Sequence, residues 1–369
     1  MAPRLFALIF AAGISHSAMA QTLSEERQCK RAMDEWYRGD CNFDSVLADR
    51  CKGLAASAAA LSNTSYSIDD RELWSSSSTP FPGLSDWTFI DDVRVDRADG
   101  IFGSSAVDGF VVLYLNKPLG ILGVGFRGTA ANENWHTNLN LDFTQDGEEF
   151  CALPCGRVHD GFNHLYKLLS EQGLAGKFAY AVNNYSIQKL LVTGHSLGAA
   201  LATLFAYDIA TTRYPLASKM QVVTFGSPRV GDAEFAQQYR NHVPYTIAFR
   251  ANCGTYDIIT GVPLERIPVS APFLFWATGY EHVYGEVDMN GDPQGWITLD
   301  NSRQMSLDGF ICHSMPDQYA KEVMREMKLT VEQSSCAFVD LRFWSSTNLP
   351  SSCPSGAPEC KWSPEYNDN

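Results

Sequence analysis

From about Trp87 onward, short apolar runs alternate along the chain with stretches whose apolar residues return at helical spacing. Phe110-Val111-Val112-Leu113-Tyr114-Leu115 and Leu119-Gly120-Ile121-Leu122-Gly123-Val124-Gly125-Phe126 flank the turn Asn116-Lys117-Pro118 and predict a hairpin. Further strands are predicted at Leu190–Thr193, Gln221–Phe225 and Thr246–Phe249. Helical spacing runs from Phe162 to Leu169, Leu197 to Ala210 and Ala233 to His242. Glu281–Val287 and Trp296–Leu299 predict two more strands around a Gly, Asn and Asp-rich turn, Met289 to Gly295, and a helix follows from Pro316 to about Lys328. Strands that alternate with helices imply an α/β domain, a mostly parallel central sheet with helices on both faces.

Outside that region the pattern thins. Residues 21–85 hold a helical stretch (Glu25 to Tyr37), an Ala-rich stretch (Leu54 to Leu61), Cys29, Cys41 and Cys51, and the linker Ser75-Ser76-Ser77-Ser78-Thr79-Pro80. They predict a helical extension stapled to a main domain at 86–330. Residues 331–369 carry Cys336, Cys353 and Cys360 among Ser and Pro, and predict a disulfide-tied tail. At the N-terminus Arg4 precedes the apolar run Leu5 to Ala12 and the small-x-small site Ala18-Met19-Ala20, which together predict a signal peptide over 1–20 and Gln21 as first mature residue. The run is far short of the ~20 residues a spanning helix needs, so no stable membrane anchor is expected.

All ten cysteines lie beyond residue 20, which suits an oxidising compartment and a secreted protein. Asn63-Thr64-Ser65 and Asn184-Tyr185-Ser186 are glycosylation sequons. The formal charge is −14, and loss of Arg4 with the signal makes it −15. Such acidity argues against nucleic-acid partners and against electrostatic docking on anionic membranes. Oligomeric state is not legible.

The candidate chemistry centres on Gly194-His195-Ser196-Leu197-Gly198, between the predicted strand at 190–193 and the helix from 197. A serine on so sharp a strand-to-helix turn has strained backbone and an exposed hydroxyl, and glycines two residues away on each side let helix and strand close up. A serine hydroxyl needs a base, and the base an orienting acid. In α/β hydrolases these follow in the order Ser, Asp or Glu, His. Asp257, in the block Asp257-Ile258-Ile259 beyond the strand at 246–249, is the expected acid. Three histidines follow Ser196: His242, His282 and His313. His242 precedes Asp257 and ends a helix. His282 lies inside a predicted strand, as a packed structural histidine would, and His313 opens onto a helix. His313 is preferred as base. The backbone N–H of Leu197 and that of Thr129, which follows the strand ending at Phe126, are the expected oxyanion donors.

Four blocks then resemble, in order, the signatures of the class 3 lipase family, which holds filamentous-fungal triacylglycerol lipases and related feruloyl esterases. They are Phe126-Arg127-Gly128-Thr129, Val158-His159-Asp160-Gly161-Phe162, Thr193-Gly194-His195-Ser196-Leu197-Gly198-Ala199 and Thr224-Phe225-Gly226-Ser227-Pro228-Arg229-Val230-Gly231. Asp257-Ile258-Ile259 and Gly279-Tyr280-Glu281-His282 match as well, so the resemblance spans about Asp86 to Lys328. It implies an α/β-hydrolase fold, Ser196, Asp257 and His313 as triad, Thr129 and Leu197 as oxyanion hole, a structural His282, and no cofactor or metal. Its implied partner is an ester or lipid substrate. The family's aromatic three residues after the histidine is absent: Pro316 stands there, and Tyr319 comes later. Asn132 to Leu139 aligns with the family's lid, with Trp135 and Leu139 its only large apolar residues. Cys151 and Cys155 resemble a local disulfide of the esterase branch, and the other eight cysteines allow 105 pairings.

The implied function is a secreted carboxylester hydrolase, of acylglycerols or of feruloyl-type and other non-lipid esters. A non-catalytic binding protein on the same fold is the rival class, against which the intact Ser, Asp and His argue. Gly123-Val124-Gly125-Phe126-Arg127-Gly128 satisfies the dinucleotide fingerprint, but no clear helix follows it. Asp288, Asn290 and Asp292 imitate half a calcium loop, with Pro293 in the place of its glycine.

Overall fold

Strand residues buried on both faces read as near-continuous apolar runs, and that is how the central sheet is written. The computed structural model describes residues 55, 57–66, 87–96, 107–117, 120–128, 148–149, 155–212, 214–243, 246–263, 266–268, 275–277, 279–284, 296–300, 311–320 and 322–323. Seven strands form one sheet in sequence order: β1 (Trp87–Asp96), β2 (Val107–Asn116), β3 (Ile121–Phe126), β4 (Lys189–His195), β5 (Met220–Phe225), β6 (Thr246–Asn252) and β7 (Trp296–Asp300). β1, β2 and β3 pair antiparallel. From β3 to β7 every pair is parallel. This is the mostly parallel α/β-hydrolase sheet that the sequence implies.

Successive side chains leave opposite faces of a strand, so each run feeds two cores. Val111 and Leu113 of β2, Leu122 and Val124 of β3, and Leu190 and Val192 of β4 face α2 (Asp160–Glu171), α3 (Leu174–Asn184) and α4 (Leu197–Thr211). Phe110, Val112, Tyr114, Leu191, Val223 and Phe249 face the other way. The helices start where their sequences provide caps. The His159 ring accepts the Gly161 N–H at 3.1 Å ahead of α2, and the Asp232 carboxylate accepts the Phe235 N–H at 2.9 Å ahead of α5 (Ala233–His242).

The second face is covered in part by α1, helical residues 57–64, which belong in sequence to the N-terminal extension. Ala58, Ala59 and Leu61 are fully buried in that core, and Thr193 of β4 donates its hydroxyl to the Ala58 carbonyl at 3.2 Å. Truncating a buried leucine removes transfer energy and leaves a cavity. Leu61→Ala is expected to lower stability by about 2–5 kcal/mol, measured by denaturant unfolding.

Some elements differ from expectation. α3 carries its buried residues at Leu174, Phe178 and Ala181, a stripe interrupted by Gly176 and too thin to stand out in the sequence. Of the strand predicted over Glu281–Val287, Tyr280–Glu281 pairs with Gly231–Asp232, and the chain then turns so that His282, Val283 and Tyr284 are buried. Residues 285–287 lie outside the described residues. The helix predicted from Pro316 is entered through a wider π-helical turn, Met315–Ala320. No helix among the described residues is long and apolar enough to cross a membrane.

Candidate active site

β4 ends at His195 and α4 begins at Leu197, so Ser196 alone makes the corner. Its backbone sits at φ 59°, ψ −129°, the one non-glycine residue with positive φ among those described. Such a conformation costs of order 1–3 kcal/mol and persists only where its surroundings enforce it. Here the Ser196 N–H donates to the Phe225 carbonyl at 3.0 Å, and the Ser196 carbonyl accepts from Ala199 at 2.9 Å. A Cβ on Gly194 would lie 2.2 Å from the Gly198 carbonyl oxygen, and one on Gly198 2.2 Å from that of Phe126. Both glycines are therefore demanded by close backbone approach. The Leu197 N–H opens α4, where a helix has amide donors without intrahelical partners and a positive dipole end.

Asp257 follows β6 and is buried, 1 % exposed. One oxygen accepts the Ile259 N–H at 2.9 Å, and the other meets His313 Nδ1 at 2.6 Å. An ionised carboxylate can only accept, so Nδ1 carries the ring proton and Nε2 is the basic nitrogen of the neutral imidazole. The same oxygen of Asp257 accepts a short hydrogen bond from the Tyr319 hydroxyl, which in turn accepts the Ala251 N–H at 3.2 Å. Burial and the Asp257 charge push the Tyr319 phenol well above its ordinary pKa, so it stays a donor. Gly226, at the end of β5, leaves the space in which these groups meet. With φ +54°, a Cβ there would stand 2.7 Å from Asp257 Oδ2 and 3.0 Å from His313 Cε1.

A disulfide joins Cys253 to Cys312 with Cα atoms 5.7 Å apart. Cys253 lies just past β6, four residues before Asp257, and Cys312 immediately precedes His313. The bond thus ties the segment bearing the acid to the segment bearing the histidine. His282 serves a different place. Its Nε2–H donates to the Thr260 carbonyl at 2.7 Å, and the Thr260 hydroxyl donates to the Asp257 carbonyl at 2.7 Å. His282 therefore supports the turn after Asp257 from below and is 1 % exposed.

The structure thus gathers Ser196, Leu197, Asp257 and His313 at one end of the parallel strands. Thr129, Trp135, Leu139 and Cys151 lie outside the described residues, as does the half calcium loop. Cys155 is disulfide-bonded and buried. Asn184 is exposed at the end of α3, whereas Asn63 is half-buried in α1. In the dinucleotide-like stretch, the space beside Gly128 is filled by the Tyr66 hydroxyl, the His195 carbonyl and Ser196 Cβ. The sequence reading missed Tyr66 and the disulfide, and noted Tyr319 without a role. Tyr319 reaches Asp257 from six residues beyond His313 because the turn between them is wide.

Residues 123–267 match the family model described as Lipase (class 3). This part of the chain belongs to the class 3 lipases. The match runs from β3 through the Ser196 corner to just past Asp257 and stops short of His313. Among curated relatives, the class 3 domain resembles "Secreted mono- and diacylglycerol lipase 1" of Fusarium solani, at 31% identity over 172 residues, 46% of this chain and 44% of that protein. It also resembles "Phospholipase A(1) DAD1, chloroplastic" of Arabidopsis thaliana, at 34% over 151 residues, 38% of this chain and 33% of that protein. The chain thus spans less than half the length of either relative. Among solved structures, lipase II from Rhizopus niveus aligns with a TM-score of 0.48 and 20% identity, over 62% of this chain and 76% of that one.

Proposed function

We propose that this protein is a secreted serine carboxylester hydrolase that cleaves acylglycerol or similar ester bonds through an acyl-enzyme. The observation that carries this reading is the hydrogen bond between His313 Nδ1 and the buried Asp257, made beside a serine held at positive φ between strand and helix. Ser196 attacks the ester carbonyl while His313 Nε2 takes its proton. Asp257 holds the imidazole in the tautomer that leaves Nε2 basic, and stabilises the imidazolium as it forms. The Leu197 N–H, with Thr129 from the stretch that follows β3 in sequence, receives the oxyanion. The imidazolium then protonates the departing alkoxide. Water attacks the acyl-serine with His313 as base again, and the carboxylic acid leaves as Ser196 regains its proton. No cofactor enters this sequence.

Secretion fits the signal-like N-terminus, the name of the Fusarium relative and the Cys253–Cys312 bond. The lid-like stretch offers Trp135 and Leu139 as large apolar residues. Burying one such side chain yields about 1.5–3 kcal/mol, so two barely supply the several kcal/mol that open a mostly closed lid at a lipid surface. Appreciable turnover of dissolved short-chain esters follows.

The test is a side-by-side panel of emulsified triacylglycerols, soluble short-chain esters and feruloyl esters, with labelling by an active-site phosphonate. The wild type is expected to be labelled and to hydrolyse dissolved esters. Ser196→Ala is expected to lose both labelling and turnover while still folding. An unlabelled wild type, or a labelled alanine variant, overturns the reading. A rate that is near zero below the solubility limit and jumps above it overturns the lid argument alone.

A further inference from the structure

His195 sits one residue before Ser196, and its ring is turned into the protein, 4 % exposed. Three aromatic groups surround it. The His313 ring lies against it with centroids 4.4 Å apart and planes inclined by 32°. Tyr319 is 5.4 Å away, and Tyr66 approaches at 5.9 Å with its hydroxyl 2.7 Å from His195 Nδ1. Burial, reinforced by the charge His313 can carry, holds the His195 imidazole well below its ordinary pKa. Burial also pushes the Tyr66 phenol up, so Tyr66 is an O–H donor and the neutral His195 ring accepts at Nδ1. The same Tyr66 hydroxyl lies against the backbone at Gly128. A Cβ at Gly128 would fall 2.2 Å from that oxygen, so only glycine leaves it room.

One hydrogen bond at Nδ1 does not by itself fix an imidazole. The His313 ring could still swing about the line to Asp257, carrying Nε2 away from Ser196. A flat surface packed against the ring face removes that freedom. The surface must also be uncharged, because His313 gains a positive charge when it takes the serine proton.

We propose that Tyr66 and His195 are positioning residues for His313: the Tyr66 hydroxyl fixes the His195 ring, and that ring holds the His313 imidazole in its working plane beside Ser196. This rests on the reading of His313 as the general base. Tyr66 comes from just beyond α1, and its hydroxyl lies against Gly128, the neighbour of Thr129 in sequence. The N-terminal segment thereby joins the loop after β3 to the turn that bears the nucleophile.

The test uses the full-length protein and a dissolved short-chain ester. Tyr66→Phe removes one oxygen and keeps the ring. It is expected to lower kcat roughly ten- to hundredfold, as small misplacements of reacting groups do, with KM within about twofold of wild type. His195→Phe is expected to lose a comparable amount. The double variant is expected to be no slower than His195→Phe, because Tyr66 acts through His195. Should His195→Phe fail to fold, the split between kcat and KM in Tyr66→Phe decides alone. The inference is overturned by a Tyr66→Phe enzyme with wild-type kcat, by losses that multiply in the double variant, or by a fall in melting temperature with unchanged kcat per folded molecule. His313→Ala runs alongside. If it remains active the base itself is misassigned, whereas an inactive His313→Ala beside a wild-type-like Tyr66→Phe removes the positioning role only.

Discussion

His313→Ala is expected to lower kcat by at least ~10³-fold while leaving the melting temperature close to wild type. A triad base acts on the reaction path, and its loss forfeits stabilisation that exists only as the proton moves. The His313 ring does pack against His195 and bond to Asp257, but Asp257 keeps the Ile259 N–H and the Tyr319 hydroxyl as donors. His282→Ala is expected to do the reverse. Its loss strips the donor from the buried Thr260 carbonyl, which costs about 1–3 kcal/mol, and opens a space beneath the Asp257 turn. Unfolding curves and kcat per folded molecule, measured on both variants, separate the roles. A stable, inactive His282 variant beside an active His313 variant would exchange the two assignments.

The second large effect is expected from Cys253→Ser with Cys312→Ser. The bond closes a sequence separation of 59 residues. In the chain-entropy account such a loop is worth about 4 kcal/mol, because the crosslink restricts the unfolded chain. Both sulfurs sit in fully buried residues of the core that holds Val223, Phe249 and Tyr319. Stability is therefore expected to drop by a large part of that figure in denaturant unfolding. Activity is expected to fall as well, because the bond anchors Cys312 next to His313 and Cys253 near Asp257. A double-serine variant with unchanged midpoint and unchanged kcat would show that packing alone sets the pair.

The sheet and the Ser196 corner were legible because short-range rules write them. Buried parallel strands are continuous apolar runs, and the tight corner leaves glycine as the one tolerated residue at 194 and 198. Strand placement pointed to Asp257 and chain order to His313, two side chains that the fold brings within hydrogen-bond distance. What stayed hidden depends on contacts between distant residues. Nothing local in Cys253 and Cys312 marks them as partners among eight equivalent cysteines. Tyr66 reaches His195 across 129 positions of sequence. Tyr319 reaches Asp257 through a turn whose pitch the pattern of apolar residues does not encode. Likewise α1 reads as a loose Ala-rich stretch, since small residues carry little helical periodicity. They pack close to the strands all the same, as where the Ala58 carbonyl accepts the Thr193 hydroxyl and Leu61 lies against Gly123.

That arrangement also sets an order on biosynthesis. The helix at 57–64 leaves the ribosome early, yet the Thr193 hydroxyl that meets Ala58 lies 135 residues further on, and Met315, whose sulfur accepts from the Ser62 hydroxyl at 3.8 Å, lies 253 residues beyond it. At translation rates of roughly 5–20 residues per second, the nascent helix waits about 10–50 s for its surroundings. Its own residues are mostly alanine and serine, so it crosses that interval with little sticky surface. A chain started at β1, the edge strand of the sheet, would be spared the wait but would lack the residues of α1 that cover Gly123 and Gly125 of β3 and meet Thr193 of β4.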